Sequence, residues 1–140
     1  GEVLVAKSNE FWDTIKTGRT HLQDATPIRL GQEFQGYASQ VELSIARLRP
    51  QVDALSEVAL GGTAVGTGIN AHENFATKAC AVLAVDLDLP VKETGHHFQA
   101  QSTQDAMLAA SGAIRGSAIS LQKIANDLRW LASGRLQHLV

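Results

Sequence analysis

Residues Met107–Leu131 read MLAASGAIRGSAISLQKIANDLRWL, and they decide the fold class. Met107, Ile114, Leu121 and Leu128 recur every seven residues, with Ala110, Ser117, Ile124 and Leu131 as partner positions. A sustained apolar heptad containing small residues is the pattern of a helix packed closely on other helices. Ser133-Gly134 closes the segment.

Working outward, Leu30, Phe34, Tyr37, Val41, Ile45, Leu48, Val52, Leu55 and Ala59 are spaced by threes and fours. That is one apolar stripe along a second long helix. Thr26-Pro27 supplies a start signal, a hydroxyl N-cap followed by proline at the first helical position. Pro50 is expected to kink or restart this helix near Leu48-Arg49. The glycine-rich run 61–68 ends it. Two shorter helices are expected, about Glu2 to Ile15 and about Ala71 to Val85. Gly18 reads as the left-handed residue closing the first. Arg19 to Thr26 reads as an irregular connector and Glu93 to Ser102 as a polar loop. No strand-like alternation of useful length is apparent. The expectation is one all-α domain over residues 1–140, a bundle of long helices. Helices this long leave apolar surface uncovered, so self-association is expected.

Composition narrows the function classes. The formal net charge is −2 over 140 residues, which gives no basic footprint for nucleic acid. No run of eighteen apolar residues is present, so no membrane span is expected. The single cysteine, Cys80, excludes an intrachain disulfide and reads as buried packing in a reduced, intracellular setting. No signal peptide is read at the start, and Val3, Leu4 and Val5, leading uncapped into a helical pattern, read as the middle of a longer protein.

Several motifs imitate chemistry. Gly66-Thr67-Gly68 with Ala71 resembles a dinucleotide loop, but a helix precedes it where that motif needs a strand. His72-Glu73 starts like a zinc HExxH helix, but Ala76 stands where the second histidine belongs. His96-His97 reads as a solvated loop pair. The segment Arg19-Thr20-His21-Leu22-Gln23-Asp24 is different. It gathers a cation, a hydroxyl, an imidazole, an amide and a carboxylate between two helices, a common way of placing chemistry on a rigid frame. Capping of a helix junction is the competing reading.

Lys16-Thr17-Gly18-Arg19-Thr20-His21-Leu22-Gln23-Asp24-Ala25-Thr26-Pro27 resembles the signature of class II fumarases within the fumarase/aspartase superfamily. The likeness continues through Leu30-Gly31-Gln32-Glu33-Phe34 and Gly36-Tyr37, resumes at Gly61 to Asn70, and returns at Lys123 to Leu131. His21 after Thr20, and the Lys123-Ile124-Ala125-Asn126-Asp127-Leu128-Arg129-Trp130 run, favour fumarase over aspartate ammonia-lyase.

The resemblance implies the central helical domain of a carbon–oxygen lyase that reversibly hydrates fumarate to L-malate. It implies a dicarboxylate substrate, no metal, no organic cofactor, and a homotetramer whose sites each draw on three subunits. Location would be cytoplasmic or mitochondrial. His21 would act on the acid side through a bound water, and Thr20 would donate to a substrate carboxylate. Gln23 is near enough to support His21. The family's Gly-Ser-Ser loop, which carries the catalytic serine, is absent from these 140 residues, so the chain alone is expected to be inactive. His96-His97-Phe98-Gln99-Ala100 departs from the family's Asn-Lys-Phe-Glu-Ala, and the sequence after Gly134 departs as well. A non-catalytic helical oligomerisation module is the rival from another class. A coiled-coil adaptor, a third reading, would need no Thr-His pair.

Overall fold

A computed structural model describes residues 1–133. The element order is α1 (Glu2–Glu10), β1 (Ile15–Thr20), β2 (Gln23–Arg29), α2 (Leu30–Ser56), β3 (Glu57–Val58), α3 (Phe75–Leu87), β4 (Lys92–Glu93), α4 (His97–Ser102) and α5 (Asp105–Leu131). The expected all-α class holds, since helices dominate and the two longest span 27 residues each. The segment after Gly134 lies outside the described residues. Among the described residues, no helix is long and apolar enough to cross a membrane.

Two compact units divide the chain. Among the described residues, the first comprises 1–46 and 115–133, and the second comprises 47–114. In the first, Phe34, Tyr37 and Ile124 are buried, with Leu4, Phe11, Leu30, Val41 and Leu128 packed against them. Phe11, Phe34 and Tyr37 form a ladder of rings, with centroids 5.3 and 5.7 Å apart in tilted and edge-on geometry. Such contacts add to the area they bury. The Lys123 ammonium lies 4.8 Å from the centroid of the Tyr37 ring and pairs with Asp127. In the second unit, β3 pairs in parallel with β4, and Ala76 and Cys80 are buried on α3. Cys80 is free and buried, as its apolar surroundings predict.

Several expectations are corrected. The first helix ends at Glu10 rather than Ile15, and residues 15–29 form an antiparallel hairpin rather than a connector. Gly18 sits inside β1 and does not cap a helix. Thr26 and Pro27 lie in β2, and α2 starts three residues later, at Leu30. Proline is tolerated there because both strands of a two-stranded ribbon are edges. The true helix start is marked by Gln32, whose side-chain oxygen accepts from the Arg29 N–H at 2.9 Å. This is the reach-back half of a capping box. Helix α2 runs through Pro50 without ending. The third helix is Phe75–Leu87, closed by Asp88 with φ 51°. The polar stretch after Glu93 contains α4 rather than loop alone.

The α5 seam is split between two surroundings. Ala110 and Ile124 are buried, and Ser117 and Leu131 are half-buried. Met107, Ile114 and Leu121 remain exposed, at 62%, 60% and 57%.

Tyr37 is the chain's only tyrosine. Burial, then the hydrogen bond and charge of Asp127, then the charge of Glu33 push its hydroxyl well above the ordinary tyrosine value. A raised folded value means that the folded state holds its proton where the unfolded state has lost it. Stability from this group is therefore complete below about pH 10, the ordinary tyrosine value, and is lost as pH rises above it. Comparing the wild type with Tyr37→Phe isolates the effect from lysine titration. The wild type is expected to lose up to about 1.4 kcal/mol more per pH unit in alkaline denaturation, with tyrosinate absorbance appearing only at unfolding.

Candidate functional site in the hairpin

The hairpin is built outward from its base. Its first pairs are Ile15 with Arg29, Lys16 with Ile28 and Thr17 with Pro27. Lys16 Nζ donates to both oxygens of Glu33 at 3.1 and 3.0 Å, tying β1 to the first turns of α2. The register then shifts between Thr17 and Arg19, and resumes as Arg19 with Asp24 and Thr20 with Gln23. Arg19 and Asp24 form a cross-strand ion pair at 3.5 Å. Both are exposed, so the pair contributes little to stability.

His21 and Leu22 are the two turn residues, with φ of 52° and 60°. Left-handed geometry at both central positions is what a type I′ turn requires, because its twist matches that of the flanking strands. Asparagine and glycine normally fill these places. Histidine tolerates the left-handed region moderately, and leucine poorly. Leu22 nevertheless stands 94% exposed at the tip.

The structure therefore brings Thr20, His21 and Gln23 together. Thr20 and Gln23 are a directly opposed pair, so their side chains leave the same face of the ribbon. His21 adjoins them at the turn. All three are exposed, and no neighbour among the described residues hydrogen-bonds the His21 ring. The arrangement presents a hydroxyl, an imidazole and an amide outward on one hairpin tip. Such a set can donate to a carboxylate and exchange a proton with a bound water.

The other motifs lie in the second unit. His97 Nε2 is 3.0 Å from the Leu60 carbonyl oxygen, which only accepts, so that nitrogen carries the proton. Glu93 lies 3.6 Å from the same nitrogen and accepts from Thr77 at 2.6 Å. His97 is thus a helix residue bonded to the backbone just before the glycine-rich segment, and not part of a solvated loop. His72 Nδ1 accepts from the Asn74 N–H at 3.1 Å. Thr67, His72, Glu73, Glu93 and His97 border an open hollow of about 360 Å³. Among the described residues, no group of three or more His, Cys, Asp or Glu is placed to hold a metal.

A sequence profile described as Lyase matches residues 1–140, the whole chain. The chain belongs to this lyase family. Two similar curated relatives are the class II fumarate hydratases of Neisseria meningitidis and Mycobacterium tuberculosis. The first is 53% identical over 95% of this chain, and the second is 48% identical over 99% of it. The chain spans 29% of the length of each. Among solved structures, a recombinant class II fumarase from Schistosoma mansoni superposes with a TM-score of 0.88. It is 36% identical and covers 96% of this chain, which in turn covers 31% of it.

Two features of this candidate site are not evident from the sequence, the bulge opposite Gly18 and the two-residue turn. The alternation of Ile15, Thr17 and Arg19 was the available signal, but it is short and masked by Gly18. Replacing Leu22 by glycine removes a left-handed β-carbon and loses no packing at this tip. Leu22→Gly is expected to raise the unfolding free energy by about 1 kcal/mol, read from denaturant midpoints at unchanged slope.

Proposed function

We propose that this chain is the central helical domain of a longer fumarate hydratase, and that residues 1–140 form one domain of that parent. The observation that carries this reading is the type I′ turn. It sets His21 between Thr20 and Gln23 on an exposed tip, in a chain about half identical to class II fumarate hydratases along its length. The parent reaction is the reversible addition of water across the double bond of fumarate to give L-malate, a carbon–oxygen lyase reaction.

The chemistry asks for two things that the tip provides. Removing a proton from the carbon beside a carboxylate loads that carboxylate with negative charge, which fixed donors must hold. Thr20 is one such donor. The departing hydroxyl must also be protonated, and His21 serves the acid side through a bound water. Histidine suits the task because its ordinary titration range lies near neutrality. Gln23 supports His21 from the opposite strand. The base for the carbon proton is expected from outside these residues. The site is therefore completed by other parts of the parent and by neighbouring subunits of a homotetramer. This chain alone is expected to be inactive, because a lone wall cannot supply the positioning that catalysis needs. The parent needs no metal or organic cofactor in this reading, and its location is the cytoplasm or mitochondrion.

The test is the full-length parent carrying His21→Asn, assayed by loss of the fumarate double-bond absorbance. Turnover is expected to fall by about a hundredfold to ten-thousandfold. Thr20→Val is expected to weaken substrate binding and turnover together. Unchanged turnover in His21→Asn would support a non-catalytic scaffold. Ammonia addition giving aspartate, in place of water addition, would make the parent an aspartate ammonia-lyase.

A further inference from the structure

We propose that Gly18 is a positioning residue: its missing β-carbon allows a bulge in the opposite strand, and that bulge sets the two-residue turn carrying Thr20, His21 and Gln23. The effect on turnover rests on the hydratase reading, whereas the effect on register does not.

The pairing pattern carries the argument. Ile15, Lys16 and Thr17 oppose Arg29, Ile28 and Pro27. Continued without interruption, that register would place Gly18 opposite Thr26, Arg19 opposite Ala25 and Thr20 opposite Asp24. His21, Leu22 and Gln23 would then form a three-residue loop. The observed pairs are instead Arg19 with Asp24 and Thr20 with Gln23. Ala25 and Thr26 together therefore oppose Gly18 alone, which is the two-against-one count of a β-bulge. The extra residue in β2 shortens the turn to His21-Leu22 and makes Thr20 and Gln23 direct partners. Loop length selects turn type, so the bulge also selects the left-handed geometry at His21.

Glycine is required at position 18 for space. Its φ is not positive, so conformational freedom is not the reason. A β-carbon there would lie 2.5 Å from the Thr26 carbonyl oxygen and 3.2 Å from Ile28 Cγ2. The first is a backbone atom that cannot rotate away, and real β-carbons essentially never come that close. An alanine must expel the bulged carbonyl, and the pairing regains its simple register by giving up the two-residue turn. Gly36 offers a contrast on α2, where an added β-carbon meets nothing within 4 Å.

The test uses the full-length parent with Gly18→Ala, Gly36→Ala as control, and Gly18→Ala combined with deletion of Ala25. Removing Ala25 takes out the extra residue, so an alanine at 18 fits while Thr20 again faces Gln23. A crystal structure of Gly18→Ala is expected to show Thr20 opposite Asp24. Its kcat is expected to fall by about a hundredfold, the scale on which an ångström of misplacement acts, and KM to rise with it because Thr20 is displaced along with His21. The Ala25 deletion is expected to restore most of that loss, and Gly36→Ala to leave turnover unchanged. A merely structural role for Gly18 would show no such rescue. Three results would overturn the proposal: retention of the Thr20–Gln23 pair in Gly18→Ala, a shifted register with full turnover, or loss of folded protein that deleting Ala25 does not restore. His21→Asn in the same preparation separates the two ideas. If it keeps wild-type turnover, the catalytic role proposed for His21 fails, while the crystallographic register still judges Gly18.

Discussion

The join between the start of α2 and the corner that follows α1 governs the rest of the first unit. A helix begins with unsatisfied backbone N–H groups. Here the Leu30 N–H donates to the Thr14 carbonyl at 2.9 Å, and the Gly31 N–H donates to the Phe11 carbonyl at 3.1 Å. The Ser8 hydroxyl returns a bond to the Gly31 carbonyl at 2.7 Å, from a buried position. An added β-carbon at Gly31 would collide with the Ser8 carbonyl oxygen, so the two backbones meet without room for a side chain. Because Ile15 pairs with Arg29 directly beside this join, the base of the hairpin and the first turn of the helix are held as one piece.

From that base, rigidity passes in two directions. Toward the tip it passes through the Lys16–Glu33 pair and the bulge opposite Gly18. Toward the core it passes through the ring ladder to Tyr37, and from Tyr37 to Asp127 and Lys123 on α5. Glu33 bonds Lys16 and also contributes to the field on the Tyr37 hydroxyl. Apart from buried Tyr37 these groups are only partly buried or exposed, so their pairing fixes geometry more than it adds stability.

Legibility in the sequence follows the strength of the local signal. The heptad of α5 and the stripe of α2 are long, so the residues alone suffice to place both helices. Met107, Ile114 and Leu121 are nevertheless exposed, because periodicity marks an apolar face without saying what covers it. The hairpin is illegible for a different reason. Its turn is His21-Leu22 rather than the asparagine–glycine that announces a type I′ turn, and its tip is uniformly polar apart from Leu22. Thr26-Pro27 and Gly18 are helix punctuation by habit, yet here they serve an edge strand and a close backbone approach. Thr20, His21 and Gln23 still stand out as candidates, since chemical type and family likeness do not depend on assigning the backbone correctly.

The ribbon also explains why these three residues belong together. In an irregular connector, a hydroxyl, an imidazole and an amide within four positions have no fixed relation. In this ribbon, Thr20 and Gln23 are opposed by pairing and His21 is fixed by the turn, so the freedom lost is largely the folded chain's own and not the substrate's. Preorganisation of that kind matters most for groups that must meet charge developing in a transition state. It has a local cost, visible as Leu22 held left-handed and almost fully exposed. A leucine in that state is a poor choice for a free hairpin. It becomes reasonable if further protein covers the tip, because burying the side chain would then offset the strain. The same logic applies to the exposed half of the α5 seam. Both are apolar surfaces that further protein would cover, in keeping with the proposed division of the site among subunits.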